Sequence, residues 1–261
     1  MKYSTVIFDW AGTTVDFGCM APVKAFERAF ADSGIKLTYT QIRKPMGMLK
    51  IDHIRTLLDM PEVAAEWEKQ YGRKAEHRDV QHLYAQFETY LFADLANNSQ
   101  LKPETLTVFH TLKEKGYNIG STTGYTKEML DIVATEAKKA GYAPDFSVTP
   151  EDAGNFGRPY PYMIFENMKH FHCLRTDEVI KVGDTISDIQ EGINAGVYTV
   201  GVIEGSSEMG LSLAEYQALS ETKRIKLVKE VADSFYSAGA DQCVLNLNEL
   251  VDLLDGVIEG V

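Results

Sequence analysis

The fold is decided near the start of the chain, by the stretch Thr5-Val6-Ile7-Phe8-Asp9-Trp10-Ala11-Gly12-Thr13-Thr14. Its first four residues are β-branched or aromatic and show no alternation with polar residues. Such a run is typical of a strand that is buried on both faces of a parallel sheet. Asp9 and a loop rich in glycine and threonine follow directly. The sequence therefore predicts a buried parallel strand with a polar loop at its carboxyl end.

Similar apolar runs recur along the second half of the chain, and segments with helical periodicity separate them. The runs lie at 117–121, 146–148, 179–182, 198–202 and 244–245. Helices are predicted between them over 103–115 and 126–140. Because strands and helices alternate from about residue 100 onward, we predict an α/β fold with a doubly wound parallel sheet.

Residues 18–99 interrupt this alternation, since their patterns are helical and contain no convincing strand. Helices are predicted from Pro22 to Gly34, from about Pro45, and over 61–70 and 80–96. The chain thus starts one strand, leaves for a helical excursion and returns to complete the sheet. We predict a catalytic core of residues 1–17 and 100–261, an inserted all-helical cap domain at 18–99, and a closing helix within 246–261.

The composition limits the classes of function that are open to the chain. Its 261 residues include 26 Lys and Arg against 38 Asp and Glu, so the net charge is −12. This charge argues against general binding to nucleic acid or to an anionic membrane. Three widely spaced cysteines indicate free thiols in a reducing compartment. With no signal peptide and no apolar span of about 18 residues, we expect a soluble cytoplasmic protein.

Polar residues follow several of the predicted strands, where function gathers in open parallel sheets. Asp9 follows the first strand, Thr123 the second, and Asp184 a later one, with Asp188 one helical turn further on. Arg158 lies between the second and third of these positions. Carboxylate oxygens suit a hard cation, and hydroxyl and guanidinium groups donate to phosphate oxygens. The sequence therefore predicts a Mg²⁺ and phosphoryl site.

Taken in order, these residues resemble the four motifs of the haloacid dehalogenase superfamily. The superfamily places an aspartate nucleophile first, then Thr or Ser, then Lys or Arg, and then a carboxylate pair. Here that order is Asp9, Thr123, Arg158, and Asp184 with Asp188. The resemblance implies a Rossmann-like core with Asp9 as nucleophile, and the helical excursion stands where that superfamily inserts its first cap. It covers residues 1–16 and 100–205.

One position departs from the superfamily pattern. Phosphatases and mutases of this superfamily usually carry a second aspartate two residues after the nucleophile, as general acid and base for an oxygen leaving group. This chain has Ala11 there, and a methyl group transfers no proton. Only the backbone carbonyl of Ala11 remains available as a ligand for Mg²⁺. Either the enzyme is impaired, or its leaving group is not an alkoxide that needs this acid.

The cap offers a different reactive group. The spacing predicts Met46, Lys50, His53, Ile54 and Leu57 on one face of a helix. Burial of an ammonium group in an apolar stripe lowers its pKa, so a neutral amine becomes accessible. Such an amine forms a Schiff base with a carbonyl substrate. His53, three residues on, is predicted to move protons. The alternative is that Lys50 extends past the apolar face to water.

Three segments together resemble the phosphonatase family within this superfamily, over nearly the whole chain. They are residues 8–16, Lys44-Pro45-Met46-Gly47 with Lys50, and Gly120-Ser121-Thr122-Thr123-Gly124-Tyr125. The resemblance implies Mg²⁺-dependent hydrolysis of a small phosphonate, 2-phosphonoacetaldehyde, to acetaldehyde and phosphate, and a homodimer. It also implies a Schiff base at Lys50 and an aspartyl phosphate at Asp9.

The same resemblance implies the remaining site residues. Mg²⁺ would be held by Asp9, the carbonyl of Ala11 and Asp184, with Asp188 ligating through water or orienting the loop. Thr123 and Arg158 would bind phosphoryl oxygens. Met46 and Gly47 would shape the aldehyde pocket. Cys19 and Tyr125 are candidates for substrate contact, although a buried thiol and a packing tyrosine are equally compatible with the sequence.

Two other functions stay open at this point. The first is a phosphatase or phosphomutase of the same superfamily that acts on a small phosphate ester, against which Ala11 counts. The second is a non-catalytic member that binds a phospholigand. The reactive residue types at all four motif positions count against the second function.

Overall fold

The computed structural model describes residues 2–256, and within this range six strands form one sheet. The strands are β1 (Thr5–Phe8), β2 (Asn118–Thr122), β3 (Phe146–Val148), β4 (Val179–Gly183), β5 (Tyr198–Val202) and β6 (Gln242–Val244). All neighbouring pairs are parallel, in the order β3-β2-β1-β4-β5-β6. The doubly wound parallel sheet predicted from the sequence is thereby confirmed, with its topological switch point between β1 and β4.

Helices cover both the sheet and the segment that precedes β2. Between β1 and β2 the chain forms α1 (Met20–Asp32), α2 (Tyr39–Arg43), α3 (Lys50–Asp59), α4 (Pro61–Tyr71), α5 (His77–Asp94) and α6 (Thr105–Glu114). The remaining helices are α7 (Lys127–Lys139), α8 (Tyr162–His170), α9 (Ile186–Ala195), α10 (Leu213–Gln217), α11 (Glu221–Ala238) and α12 (Leu247–Leu254). None of the helices described here is both long and apolar enough to cross a membrane.

Two segments of the chain connect the helical cap to the sheet, and they are hydrogen-bonded to each other. The amide of Asp16 donates to the carbonyl of Gln100 at 3.0 Å. The Asp16 carboxylate also accepts from the amides of Met20 and Ala21, both at 3.0 Å, and so caps the start of α1. Cys19, the last residue before α1, has a left-handed backbone with φ 51°. The first of these segments thus turns sharply into the cap and is held by hydrogen bonds.

Three of the predicted elements differ in position. The helix expected from about Pro45 begins at Lys50, so Met46 lies in the preceding loop and not on the helical face of Lys50. The reason is Gly47, whose φ of +85° is left-handed and whose hypothetical Cβ would lie 2.5 Å from Thr185 Oγ1. A helix cannot contain this conformation or approach the core this closely.

The other two differences concern the end of the chain. The last strand, expected at 244–245, is β6 at Gln242–Val244. The closing helix expected within 246–261 is α12, which ends at Leu254, while residues 257–261 lie outside the described part of the chain.

Shortening a buried side chain inside the cap should destabilise the protein. Leu83 on α5 is fully buried within a cluster that joins cap helices to the core. We expect Leu83→Ala to lower the free energy of unfolding by about 2–5 kcal/mol, because it leaves a cavity. The same substitution at Leu174, which is 92% exposed, should change it by less than about 0.5 kcal/mol. Urea denaturation measures both, and equal effects would contradict the packing described here.

Candidate active site

The carboxyl ends of three adjacent strands bring the predicted polar residues to one edge of the sheet. Asp9 follows β1, Thr123 follows β2 and Asp184 follows β4. All three side chains are buried. Arg158 reaches the same edge from the loop before α8. The residues meet beside the switch point of the sheet, where α/β folds place their ligands.

Three carboxylates form a compact cluster at this edge. One oxygen from each of Asp9, Asp184 and Asp188 lies within 4.8 Å of the other two. Burial raises the pKa of Asp184 well above its usual value, and repulsion from Asp9 and Asp188 adds to the effect. Thr13 Oγ1 donates to Asp184 at 3.0 Å. Oxygen ligands with this much uncompensated negative charge fit a hard divalent cation.

The loop after β1 approaches this cluster with its backbone. Gly12 has a left-handed φ of +89°, and a Cβ on it would lie 2.1 Å from Asp184 Oδ2. Only glycine therefore lets the loop pass so close to the carboxylate. Ala11, one residue earlier, lines the cavity beside Asp9 and brings only a methyl group to this position.

Arg158 contacts residues that follow or end three different strands of the sheet. Its Nη2 donates to Asp9 Oδ1 at 2.7 Å and to Thr122 Oγ1 at 2.8 Å, and it lies 3.0 Å from Asp188 Oδ1. Its Nε donates to Glu191 Oε2 at 2.9 Å. None of these contacts uses Nη1. The guanidinium group is thus fixed by protein carboxylates on two nitrogens, while a third stays available for a phosphoryl oxygen.

Lys181 and Glu191 are site residues that the sequence analysis missed. Lys181 Nζ lies 2.8 Å from both Thr122 Oγ1 and Asp188 Oδ1, and 3.3 Å from Glu191 Oε2. Burial raises the pKa of Asp188, but Arg158 and Lys181 together lower it below its usual value. The sequence did contain a signal for this residue, which is the lysine inside the apolar run 179–182. A charged side chain in a strand that is buried on both faces requires a partner of opposite charge.

A cavity of about 20 Å³ separates the strand ends from the cap, with room for about one water molecule. Nine of the twelve residues predicted for the site line it, and three more residues do so as well. The lining residues are Asp9, Ala11, Cys19, Met46, Gly47, Lys50, Thr123, Gly124, Tyr125, Arg158, Thr185 and Ser207. Asp184 and Asp188 lie behind this surface, and His53 lies away from it. Because the cavity is so small, a substrate must displace the cap or its side chains to bind.

Lys50 enters the cavity from the first turn of α3. Its side chain is buried, and Nζ lies 5.2 Å from the centroid of the Tyr125 ring. Burial lowers the pKa of Lys50 below the ordinary lysine value, although Cys19 and Asp9 partly oppose this effect. The alternative in which Lys50 extends to water does not fit this position. The arrangement places a readily deprotonated amine opposite the Asp9 carboxylate.

His53 lies with Lys50 on the buried face of α3 that the spacing predicted, but it does not line the cavity. Its ring stacks on Phe26, with centroids 4.0 Å apart, and its Nε2 lies 2.8 Å from the carbonyl of Ile42. Burial lowers the pKa of His53 well below its usual value, and Lys50 adds to this effect. The imidazole is therefore neutral, and it donates from Nε2 to that carbonyl. Its role in proton transfer stays a prediction.

Comparison with known proteins agrees with this geometry. Residues 3–196 match the family model described as haloacid dehalogenase-like hydrolase. The phosphonoacetaldehyde hydrolase of Lysinibacillus sphaericus is 46% identical over 259 residues, which span 99% of this chain and 96% of the relative. That of Bacillus anthracis is 45% identical over 257 residues, which span 98% and 97%. The chain belongs to the phosphonoacetaldehyde hydrolase family of the haloacid dehalogenase superfamily.

A solved structure extends this finding to three dimensions. A phosphonoacetaldehyde hydrolase-like protein from Oleispira antarctica superposes with a TM-score of 0.95 at 34% identity, covering 98% of this chain and 93% of the other. The predicted membership of the superfamily and of its phosphonatase branch is therefore confirmed, and the chain is a hydrolase. In this chain Lys50 of the cap and Asp9 of the core line the same cavity.

The seam between cap and core of this phosphonatase family member depends on backbone contact at Gly124. A Cβ on Gly124 would lie 2.8 Å from the carbonyl oxygen of Gly47 and 2.9 Å from that of Met48. We expect Gly124→Ala to push the cap loop outward and to expose Cys19 in the cavity wall. Alkylation of Cys19 by iodoacetamide should then be about tenfold faster, equivalent to about 1.4 kcal/mol less for opening.

Mass spectrometry of the alkylated protein measures this change, with Cys173 and Cys243 as internal references. Gly72→Ala is the control for backbone strain away from the seam, because φ is +68° there and a Cβ would meet no neighbouring atom. Faster alkylation of all three thiols in Gly124→Ala would indicate general unfolding and contradict a local effect on the seam.

Proposed function

We propose that this chain hydrolyses the C–P bond of 2-phosphonoacetaldehyde to acetaldehyde and phosphate. The observation that carries the proposal is the pairing of Lys50 with Asp9 across one small cavity whose third wall is the methyl group of Ala11. An amine and a carboxylate nucleophile without a neighbouring acid suit a substrate that is both an aldehyde and a phosphonate. The names of the relatives support the same substrate.

The chemistry of the C–P bond explains the need for the lysine. Cleavage toward phosphorus leaves a carbanion, which is a far poorer leaving group than an alkoxide. Neutral Lys50 condenses with the aldehyde carbon, water is released, and a protonated imine forms. The imine stands beside the carbon that carries phosphorus, so the electron pair of the broken C–P bond is delocalised as an enamine.

Asp9 supplies the nucleophile for phosphorus. Its carboxylate attacks in line, an O–P bond forms as the C–P bond breaks, and an aspartyl phosphate results. Arg158 and Thr123 neutralise and hold the phosphoryl oxygens, where preorganised charge is worth several kcal/mol. Water then cleaves the aspartyl phosphate, while the enamine takes a proton at carbon and the imine is hydrolysed to acetaldehyde and free Lys50.

The carboxylate cluster is the proposed Mg²⁺ site. Asp9, the carbonyl of Ala11 and Asp184 would hold the ion, and Asp188 would act through water or orient the loop. Both oxygens of Asp188 already meet protein groups, Thr185 Oγ1 on one and the two cations on the other, which favours the indirect role. When bound, the ion supplies positive charge that lets an anionic nucleophile approach an anionic phosphoryl group.

Ala11 also bears on the two alternative functions. A phosphatase or phosphomutase must protonate an alkoxide, and a methyl group at this position cannot do so. A non-catalytic phospholigand-binding member would not require a buried lysine with a lowered pKa in the binding cavity.

Trapping of the imine tests the proposal. We expect borohydride together with 2-phosphonoacetaldehyde to inactivate the enzyme and to add mass at Lys50, because the reduced imine cannot be hydrolysed. Asp9→Asn should still be trapped at Lys50 but should release less than about one thousandth of the phosphate, since the nucleophile is absent. Peptide mass spectrometry and a phosphate assay are the measurements. A fully active Lys50→Arg enzyme would overturn the Schiff base.

The homodimer implied by the phosphonatase resemblance is also part of the proposal. Four aromatic side chains that are 40–51% exposed cluster on one face: Phe156, Tyr160, Tyr162 and Phe165. The rings of Phe156, Tyr160 and Tyr162 contact one another, with centroids 5.2–5.9 Å apart. Exposed apolar groups of this kind mark association surfaces.

We expect the double substitution Tyr160→Glu and Tyr162→Glu to convert a dimer to a monomer, because it places two charges in the interface. Gel filtration with light scattering measures the mass. Ile225→Glu, at a 63% exposed position on α11, should leave the mass unchanged. A wild-type chain that elutes as a monomer would contradict the dimer.

A further inference from the structure

Ser207 lies in the loop after β5 and is held at the cavity by both of its backbone groups. Its amide donates to Asp184 Oδ2 at 2.7 Å. Its carbonyl accepts from Nη1 of Arg43, a buried cap residue, at 3.2 Å, and the same nitrogen donates to the carbonyl of Gly18 at 2.8 Å. The backbone of Ser207 is therefore fixed between the carboxylate cluster and the cap hinge, which is the start of the cap at Gly18. These hydrogen bonds do not involve its side-chain hydroxyl.

The hydroxyl of Ser207 has no oxygen or nitrogen hydrogen-bond partner among the described residues, although the residue is only 1% exposed. It contacts the Cys19 thiol, whose pKa is raised by burial and lowered in part by the Ser207 side chain, but sulfur is a weak hydrogen-bonding group. Both residues line the cavity that holds Lys50. A buried hydroxyl without a full hydrogen-bond partner destabilises the fold, so such groups call for an explanation. A substrate group that bound in this cavity would supply the partner.

The neighbouring Ser206 uses its hydroxyl in a different way. Ser206 is also fully buried, but its Oγ accepts from the amide of Met209 at 2.9 Å and so stabilises the loop. The two serines thus differ in what their hydroxyls do. One is part of the loop, and the other is directed to the cavity.

We propose that the Ser207 hydroxyl hydrogen-bonds the aldehyde oxygen of the substrate while Lys50 adds to the aldehyde carbon. The inference rests on the proposed function, since it requires an aldehyde at Lys50. The phosphoryl end of the substrate is assigned to Asp9, Thr123 and Arg158 at the strand ends. Ser207 stands on the Cys19 side of the cavity, which leaves the aldehyde end as its partner.

The hydrogen bond would act where charge develops. As Nζ forms its bond to carbon, the π electron pair of the carbonyl moves to oxygen, which then takes up a proton to give a carbinolamine. Loss of this oxygen as water gives the protonated imine. Overall, one amine, one aldehyde and one proton from solvent yield the imine and water. Ser207 stabilises the oxygen in this step and ends with its own proton in place.

Arg43 is then a positioning residue for Ser207. It binds the Ser207 carbonyl from the cap and the Gly18 carbonyl at the hinge, so the hydroxyl is presented to substrate when the cap is closed. Its effect on the reaction would pass through this loop, because Arg43 does not line the cavity.

The test compares Ser207→Ala with Ser206→Ala in the full-length enzyme. The rate of borohydride trapping at Lys50 is measured with 2-phosphonoacetaldehyde and with acetaldehyde, which lacks the phosphoryl end. We expect Ser207→Ala to slow trapping of both aldehydes about 10- to 100-fold, the worth of one hydrogen bond to a charged oxygen. Ser206→Ala should trap at the wild-type rate even if its thermal stability falls.

Binding of inorganic phosphate with Mg²⁺, measured by calorimetry, separates the two ends of the substrate. Ser207→Ala should bind phosphate as the wild type does, and weaker binding would place the hydroxyl at the phosphoryl end and overturn the inference. Equal trapping by Ser207→Ala and wild type, or equal slowing by both serine variants, would also overturn it. No trapping in the wild type would instead refute the proposed lysine chemistry itself.

Discussion

The balance of buried charge at the strand ends is the constraint on which the site depends. Four buried carboxylates meet two buried cations there, and the groups are Asp9, Asp184, Asp188, Glu191, Arg158 and Lys181. Two negative charges remain among these six groups. Burial raises the pKa of Asp184, and repulsion from Asp9 and Asp188 adds to the effect. In the proposed function, a divalent cation held by the carboxylates would balance this charge, and the same edge of the sheet would bind a phosphoryl group.

The buried charges at the strand ends explain why Lys50 comes from the cap and not from the core. A neutral amine near Asp9 would be protonated if it shared the polar surroundings of the carboxylates, since each nearby anion raises the pKa of a lysine. Lys50 avoids this by entering through an apolar wall that includes Met46 and Tyr125. Burial then outweighs the attraction to Asp9. In the proposed function, two reactions with opposite electrostatic needs would thus be divided between two parts of the fold.

The sequence predicted the sheet and most of the cavity because both depend on local signals. Residue types at strand ends and helical spacing need no knowledge of distant contacts. Lys181, Glu191 and Ser207 were missed because their roles depend on partners 33 to 164 residues away in the chain. His53 shares the buried face of α3 with Lys50, as the spacing predicted. Its stacking on Phe26 of α1 is a tertiary contact that spacing alone does not reveal. The backbone of Gly47, pressed against Thr185, likewise displaced the predicted start of α3.

Close backbone contact between cap and core has a chemical consequence. At Gly47 and Gly124 the two parts meet without side chains between them, so the cavity keeps only about 20 Å³. In the proposed function, hydrolysis of the imine before C–P cleavage would be unproductive, so a cavity that admits little water at that stage would favour the reaction. Close contact at the seam would limit the water that enters, and Arg43 holds the Gly18 and Ser207 carbonyls on either side of it. On this proposal the cap would deliver Lys50 and limit the water that reaches it.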